Sequence, residues 1–355
     1  MKEEELGHEA ADRLAAALRE VPFLAPASIR RERARGNPRI DFILTVRSPA
    51  IDRRLVCEVK PGGQPRMARE ACLNLLDYIR SDERDYPVFV APYISPAAAA
   101  VCDRHRVGYF DLAGNCRLTF DRVYIRREAF PNPSAQKRDL RSLYSPKAER
   151  ILRVLLAAGK RCWRMQELAD EAEVSLGQTA NVKKLLLDRE WIQMAACGFR
   201  LRSLNDAVVP MLTEWAGNYR MERSTASEYY SLKPIPQTEA DLAVASRRTK
   251  ARFAFSGFAG AVRFAPAVRY QRVTAYLLGD ASALADRLGL KPVSSGANVT
   301  LIEPYDEGVF YGTRDVEGAP VVSPVQIYLD LIQTKGRGRE AASAILEEVI
   351  QPIWR

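Results

Sequence analysis

The sequence predicts a multidomain protein of the α/β and α+β classes, with a mixed sheet in its N-terminal part. Helical and strand patterns alternate through residues 6–126, three short helical patterns and a hairpin follow over 147–203, and a second mixed region fills 204–355. The length of 355 residues is typical of two or three domains. We therefore predict domains at 1–128, 147–203 and 204–355, with a basic linker at 129–146.

The N-terminal elements follow from hydrophobic periodicity and from turn residues. Ser95 followed by Pro96 is typical of a helix start, and Pro61-Gly-Gly63 ends a strand. RLTF and RVYI (117–125) predict an edge hairpin. The predicted order is helix 6–20, strand 39–46, strand 53–60, helix 65–80, strand 87–94, helix 95–105 and strand 107–114.

The later elements are less regular. Residues 147–159, 165–174 and 175–191 predict three helices, and 191–203 predicts a hairpin. A helix is expected at 206–220, and 221–237 is expected to be irregular. From residue 240 onward helices and strands alternate, and the chain ends in two helices.

The whole chain has a net charge of +9. The excess of positive charge lies in its first 202 residues. Residues 141–202 carry 12 basic and 7 acidic side chains, whereas residues 203–355 carry 17 of each. Such a block favours a surface that binds a polyanion, with double-stranded DNA as the expected partner. A solvated basic surface is the alternative.

Several classes of protein are disfavoured by composition. The two histidines, His8 and His105, provide little for Ser-His-Asp catalysis or histidine-rich metal sites. The six cysteines form no C-x-x-C pair, so we expect reduced, mostly buried thiols. No apolar run has the length of a membrane helix, and the acidic N-terminus MKEEELGHEA lacks a signal sequence, so we expect a cytoplasmic protein without membrane contact.

The first candidate site combines two carboxylates and a lysine. Glu58 and Lys60 are two residues apart on a predicted strand and therefore point to the same face, and Asp41 lies on the preceding strand. Asp41 and Glu58 can hold Mg²⁺ through oxygen, and Lys60 can position a water molecule or offset developing charge. A salt-bridged strand edge is the alternative.

Residues 6–126 resemble the PD-(D/E)XK restriction-endonuclease-like superfamily. The resemblance rests on Glu9 in the first helix, PRID (38–41), CEVK (57–60) and the helix with Arg66 and Arg69. It implies a nuclease fold with Asp41 and Glu58 on a metal, Lys60 beside them and Glu9 as the acidic residue of the first helix. Here Pro38 stands three positions before Asp41, and inactive DNA binders also occur in this superfamily.

Residues 145–203 have the outline of a winged helix-turn-helix, in which the third helix reads DNA. We predict that its inner face consists of Leu176, Ala180, Val182, Leu185 and Leu186. Arg200 and Arg202 on the hairpin can reach phosphate or the minor groove. The expected DNA-contacting residues of the third helix are Gln178, Thr179, Asn181, Lys183 and Lys184. A three-helix protein-interaction module is the alternative.

The C-terminal region resembles the AbiE-type antitoxins of type IV toxin–antitoxin systems. The segments that carry the resemblance are FSGFAGAVRFAP (255–266), ANVTLIEPYDEGVFYG (297–312) and 321–346. The family implies a winged helix that represses its own promoter and a domain associated with neutralising a nucleotidyltransferase toxin. From the residues alone, Asp330 and Arg339 are expected on a solvated helix face.

Three functions remain open at this stage. The first is a DNA-binding regulator of antitoxin type that carries a nuclease-fold domain. The second is a Mg²⁺-dependent DNA endonuclease targeted by its winged helix. The third is a scaffold whose main partner is a protein.

Overall fold

The computed structural model describes residues 3–30, 40–48, 51–79, 82–132, 143–248 and 251–355. Pro38 and Arg39 of the PRID segment, and residues 133–142 of the predicted linker, lie outside the described residues. The chain divides into two compact units, Met1–Lys137 with Leu187–Glu190 and Arg138–Leu186 with Trp191–Arg355. Each unit contains a seven-stranded mixed sheet, so this is a mixed α/β protein.

The strands of the first sheet are bonded to one another in chain order. The β3–β4 and β4–β5 pairs are parallel, and the other pairs are antiparallel. The strands are β1 Ala25–Arg30, β2 Phe42–Ser48, β3 Ile51–Val59, β4 Asp85–Ala91, β5 Gly108–Asp111, β6 Cys116–Phe120 and β7 Val123–Arg127. The edge hairpin β6–β7 is where the sequence predicts it.

Helices cover both faces of this sheet. They are α1 Glu3–Arg19, α2 Pro65–Tyr78 and α3 Pro96–His105. Leu14 of α1 shares a buried cluster with Cys57, whereas Cys72 of α2 shares another with Val56. Because successive strand residues point to opposite faces, Glu58 faces α2. Ser95 caps α3 by accepting a hydrogen bond from the Ala98 amide at 3.2 Å, as predicted.

Strand β1 has no counterpart among the predicted elements. Within the part of the chain that the structure describes, it pairs with β2 alone, and its register shifts between Pro26 and Ser28. An edge strand tolerates a proline and a bulge because one side of its backbone needs no partner. This explains why the segment lacks the usual strand pattern.

The second unit begins with the three helices and the hairpin that the sequence predicts. They are α4 Pro146–Ala157, α5 Met165–Glu171, α6 Leu176–Asp188, β8 Ile192–Ala195 and β9 Gly198–Leu201. Trp163 bridges to Phe199 and adds a short third strand segment to the hairpin. Trp163 and Trp191 are both buried and belong to the core.

The second sheet has the order β13-β10-β14-β12-β11-β16-β15, with parallel pairs at β12–β14 and β11–β16. Its strands are β10 Thr225–Tyr230, β11 Arg252–Ser256, β12 Val273–Leu278, β13 Lys291–Pro292, β14 Val299–Glu303, β15 Arg314–Val316 and β16 Ala319–Val321. The expectation that 221–237 is irregular is wrong, because β10 lies there. Threonine and tyrosine are favoured in strands, and Tyr229 is the buried residue of this one.

Helices of three kinds accompany the second sheet. The α-helices are α7 Val209–Asn218, α8 Ile235–Arg248, α9 Gly257–Ala261, α10 Ala281–Leu288, α11 Pro324–Gln333, α12 Gly338–Ala344 and α13 Gln351–Trp354. π-Helical turns occur at Leu204–Val208 and Ile345–Ile350, and 3₁₀ turns at Met221–Arg223 and Glu307–Phe310. Among the described residues, no helix has both the length and the apolar character needed to cross a membrane.

The cysteines follow the expectation only in part. Cys57, Cys72, Cys102 and Cys116 are free and buried. Cys162 and Cys197 form a disulfide bond, which corrects the expectation of reduced thiols for this pair. The two residues are 35 positions apart and meet because the hairpin folds back onto the segment before α5.

Candidate functional site

Asp41 and Glu58 face each other across two antiparallel strands. Phe42 pairs with Cys57, so the next positions outward are Asp41 and Glu58. The backbone amide of Asp41 donates to the Cys57 carbonyl at 3.0 Å, and the Val59 amide donates to Asp41 Oδ2 at 2.7 Å. Asp41 lies one residue before β2 rather than within it, and extension of the register places it opposite Glu58.

Glu58 is almost fully buried, with 1% of its surface exposed. Its Oε1 accepts hydrogen bonds from Asn74 Nδ2 at 3.0 Å and from Lys60 Nζ at 2.8 Å. Its Oε2 is buried without a hydrogen-bond partner among the described residues. Burial raises the pKa of Glu58 against the opposing effect of Lys60 and Asn74, and the nearby Asp41 raises it further. A buried acceptor without a partner is costly, so this oxygen is suited to a cation or a water molecule.

Lys60 lies between two carboxylates. Its Nζ is 2.8 Å from Glu58 Oε1 and 3.0 Å from Glu70 Oε1. Burial lowers the pKa of Lys60. The hydrogen bonds to Glu58 and Glu70 and the negative charges of these two residues outweigh the effect of burial, so the pKa of Lys60 lies above its ordinary value. Lys60 is therefore a cation at neutral pH and can balance negative charge rather than accept a proton.

The site also includes residues of α2 that the sequence prediction missed. Glu70 and Asn74 are four residues apart and thus lie on one helix face, the face that meets the end of β3. Two polar residues at this spacing, beside the apolar stripe of Ala68, Ala71, Cys72 and Leu75, were the available signal.

Glu9 is not brought into this cluster by any described contact. Its Oε1 forms an ion pair with Arg13 Nη2 at 2.8 Å, on the same helix. The helix packs its apolar face on the sheet face opposite α2. Among the described residues, no three acidic, histidine or cysteine side chains are grouped so that they could hold a metal ion.

Helix α6 presents a different face from the one predicted. Thr179 is fully buried, and its Oγ1 donates to the Ser175 carbonyl at 3.1 Å. Leu176 and Ala180, predicted to face inward, are exposed. Because the inner stripe runs through 179, 182, 185 and 186, Thr179 cannot offer its side chain to DNA. Asn181 and Lys184 are exposed, and Gln178 is half-buried.

The basic side chains on and near the hairpin differ in how far they are exposed to solvent. Lys183 is half-buried, with its Nζ 5.0 Å from the centre of the Phe199 ring. Arg200 is exposed. Its Nε and Nη2 donate to the side-chain oxygen of Gln193 at 2.9 and 3.0 Å when the Gln193 amide is oriented with its oxygen toward Arg200. Arg202 is half-buried. The most accessible of the predicted DNA-contacting residues are thus Asn181, Lys184 and Arg200.

A buried polar network, which the sequence analysis did not predict, joins α4 to the C-terminal region. Arg153 is fully buried and donates from Nε and Nη2 to Gln326 Oε1 at 3.0 and 2.8 Å. Its guanidinium also stacks over Trp215 at 5.0 Å. Glu149, one turn earlier, is fully buried as well and accepts from Trp215 Nε1 at 3.3 Å and from the Tyr305 hydroxyl.

Asp330 lies in the same network, which corrects its expected position on a solvated helix face. It is 2% exposed. Four groups donate to its carboxylate: Ser256 Oγ, Tyr276 OH at 2.9 Å, Gln326 Nε2 at 2.9 Å and Tyr219 OH at 3.1 Å. Burial raises the pKa of Asp330 to about 6, although these donors oppose the shift. The signal in the sequence was that Leu329 and Leu331 flank it in a helix that is apolar on several sides. Arg339 is exposed, as predicted.

An open groove of about 810 Å³ lies in the C-terminal part of the second unit. Leu232, 77% exposed, lies on its rim beside the partly exposed Tyr230. Its basic lining residues are Lys233, Arg269, Arg272, Lys335 and Arg337. The groove therefore combines exposed apolar surface with positive charge.

Comparisons with known proteins give two matches. Residues 207–351 match the AbiEi_2 family, described as "Transcriptional regulator, AbiEi antitoxin, Type IV TA system". The matched segment lies within the second compact unit. A crystal structure of a repair endonuclease from Pyrococcus abyssi is similar over 28% of this chain, with 15% identity and a TM-score of 0.21. The chain spans 46% of the length of that structure. No functionally curated protein matches.

Proposed function

We propose that this protein is a DNA-binding transcriptional regulator of the type IV antitoxin class that also carries a PD-(D/E)XK nuclease-fold domain. The observation that supports it is the match of residues 207–351 to an antitoxin and regulator family, in one compact unit with α4, α5, most of α6 and the hairpin. In this proposal α4, α5, α6 and the hairpin β8–β9 form a winged helix-turn-helix.

Helix α6 is the proposed recognition helix. Its exposed Asn181 and Lys184 can contact base edges and phosphates in a major groove, and Arg200 on the hairpin can reach the adjacent backbone. Residues 141–202 have an excess of five positive charges, which strengthens non-specific attraction to DNA. Thr179 takes no part, since it is buried.

The test is binding to the DNA upstream of the protein's own coding sequence. A labelled duplex from that region and a duplex of shuffled sequence are titrated with the full-length protein at one salt concentration. We expect the upstream duplex to bind on the order of a thousandfold tighter or more. Equal affinity for the two duplexes would remove the sequence-specific regulator from consideration.

The proposed protein partner is a nucleotidyltransferase toxin. The neutral charge of residues 203–355 and the exposed Leu232 beside the groove support a protein-facing role for this region. Co-expression of the chain with a nucleotidyltransferase from a neighbouring reading frame should restore growth. Continued growth arrest, with the chain present in folded form, would count against the antitoxin assignment.

The second candidate function is a Mg²⁺-dependent DNA endonuclease, and the buried, unpartnered Oε2 of Glu58 favours it. The donors fit this ion, because Asp41 and Glu58 offer the hard oxygen ligands that Mg²⁺ prefers and leave positions for water. Mg²⁺ bound there would polarise a phosphate and make a water molecule more acidic. Lys60, already protonated beside Glu58, would offset the negative charge of the phosphate.

Cleavage of supercoiled plasmid separates the two candidates. Wild type and an E58A/K60A variant are incubated with plasmid in Mg²⁺ or Mn²⁺. Nicking or linearisation by wild type alone would support the endonuclease, whereas intact plasmid in both reactions would leave the regulator as the function of the chain.

A further inference from the structure

The disulfide bond between Cys162 and Cys197 ties the hairpin to the segment before α5. Cys162 lies between α4 and α5, and Cys197 lies in the turn between β8 and β9. Their Cα atoms are 6.1 Å apart. The bond therefore fixes the turn of the hairpin to the body of the three-helix module.

This pair differs from the other cysteines in its access to solvent. Cys197 is exposed and Cys162 is half-buried. Cys57, Cys72, Cys102 and Cys116 are buried, and burial raises the pKa of both Cys57 and Cys116. Cys197 is therefore the residue of the pair that a small thiol or disulfide in solution can approach, while the buried free thiols are shielded from it.

The neighbouring residues bring the two cysteines together without the covalent bond. The Trp163 amide donates to the Phe199 carbonyl at 2.7 Å, and the Phe199 amide donates back at 3.0 Å. Gly198 has φ +134°, and a Cβ at this position would lie 2.2 Å from the Trp163 carbonyl oxygen. The chain therefore approaches closely enough for the sulfur atoms to meet whenever the hairpin is docked.

Several basic residues are close to the pair in sequence, although in the disulfide form Lys160 donates to the Arg355 carbonyl and Arg161 stacks on Trp163. Lys160 and Arg161 precede Cys162, Arg164 follows it, and Arg200 lies three residues after Cys197. Positive side chains stabilise a thiolate, which is the attacking species in the exchange. The same hairpin carries Arg200, a residue of the proposed DNA surface, and Phe199, which holds Lys183.

We propose that Cys162 and Cys197 form a reversible redox pair whose disulfide state fixes the hairpin in its DNA-binding position. This inference rests on the proposed DNA-binding function. The oxidant is a small disulfide such as oxidised glutathione. One protein thiolate attacks a sulfur of that disulfide and releases one glutathione thiolate. The second protein thiolate then attacks the protein sulfur of the mixed disulfide, forms the Cys162–Cys197 bond and releases the second glutathione thiolate. The two electrons and the two protons of the protein thiols therefore end on two molecules of reduced glutathione.

The expected effect on DNA binding is moderate. In the dithiol state the hairpin is held by its hydrogen bonds to Trp163 and by its buried Ile192, Phe199 and Leu201, and its turn near Arg200 is freer to move, so DNA must order that turn. In the disulfide state that ordering is already complete. We expect the oxidised protein to bind DNA about three- to tenfold tighter, which is the scale of ordering one long side chain at an interface.

The test equilibrates the full-length chain in glutathione buffers of graded ratio and traps free thiols by alkylation. Peptide mass spectrometry should show Cys162 and Cys197 becoming protected together within that range, with the other four unchanged. DNA affinity of the oxidised and reduced protein is then compared with that of C197S and C162S, neither of which should respond to redox state. A pair that stays reduced or stays oxidised across all buffers would overturn the proposal, and so would equal affinity of the two wild-type states.

Hydrogen exchange separates a failure of this inference from a failure of the proposed function. If neither redox state binds DNA, the DNA-binding proposal fails, and the exchange rates of amides 192–201 decide the redox proposal. Slower exchange in the oxidised wild type, absent in C197S, would support a redox-controlled hairpin. Identical exchange in both states would refute it.

Discussion

Arg153 donates two hydrogen bonds from its guanidinium to Gln326 Oε1, at 3.0 and 2.8 Å. The two residues are 173 positions apart. One belongs to the first helix of the three-helix module, and the other to α11 in the C-terminal region. The two parts belong to one compact unit, and this buried contact is one of the links between them.

Replacing Arg153 should destabilise the second unit strongly. In R153M the side chain keeps most of its volume, but the buried Glu149 loses the cation whose Nη1 lies 3.7 Å away and keeps, among the described cations, only the partly exposed Arg223, whose Nη1 lies 3.8 Å away. We expect the free energy of unfolding to fall by about 3–5 kcal/mol, measured by urea denaturation. The exposed Arg339 provides a matched control, since R339M should change it by less than about 0.5 kcal/mol. A similarly small loss in R153M would show that the network is not a structural link.

Asp330 should make stability depend on pH. Its pKa is near 3.8 when unfolded and is raised to about 6 in the folded chain, so the folded state binds its proton more tightly. The resulting stabilisation is complete below about pH 4 and is lost as pH rises through 6, by roughly 3 kcal/mol. The difference in unfolding free energy between wild type and D330N, measured from pH 4 to 7, isolates this contribution because asparagine does not titrate. A constant difference would contradict the raised pKa.

The carboxylate pair should bind a divalent cation. Titration calorimetry with Mn²⁺ on the full-length protein should detect binding in wild type. The affinity should fall at least tenfold in D41N and E58Q, because each removes an anionic oxygen ligand. Glu83, exposed on a loop, provides the control, and E83Q should bind as wild type does. Equal affinity in E58Q and wild type would place the cation elsewhere.

Much of the first unit could be predicted because its elements are strongly patterned. The continuous apolar run of β4 is buried on both faces, and Ser95-Pro96 marks a helix start by local chemistry alone. Asp41 and Glu58 could be paired because a short connection between two strands fixes their register. These predictions depend only on interactions close in sequence.

The phase of α6 and the buried network could not be obtained in the same way. As a polar residue, Thr179 resembles a residue that is exposed for DNA contact. Its hydroxyl instead donates to the Ser175 carbonyl, so the side chain can be buried without an unpaired donor. Asp330 resembles a surface charge in the sequence, but Tyr219, Tyr276 and Ser256, which belong to distant segments, donate hydrogen bonds to its carboxylate in the folded chain. Residue spacing along the chain does not predict contacts between segments that are so far apart in sequence.

The central claim, that α6 reads DNA, is tested most directly by the salt dependence of binding to the upstream duplex. The dissociation constant is measured for wild type, N181A/K184A and the control R339A between about 50 and 200 mM salt. We predict that the double variant binds at least tenfold more weakly and that its slope against log salt is smaller by about 1, because one phosphate contact is lost. The control should match wild type. If the double variant binds with the affinity and slope of wild type, α6 is not the DNA-reading helix.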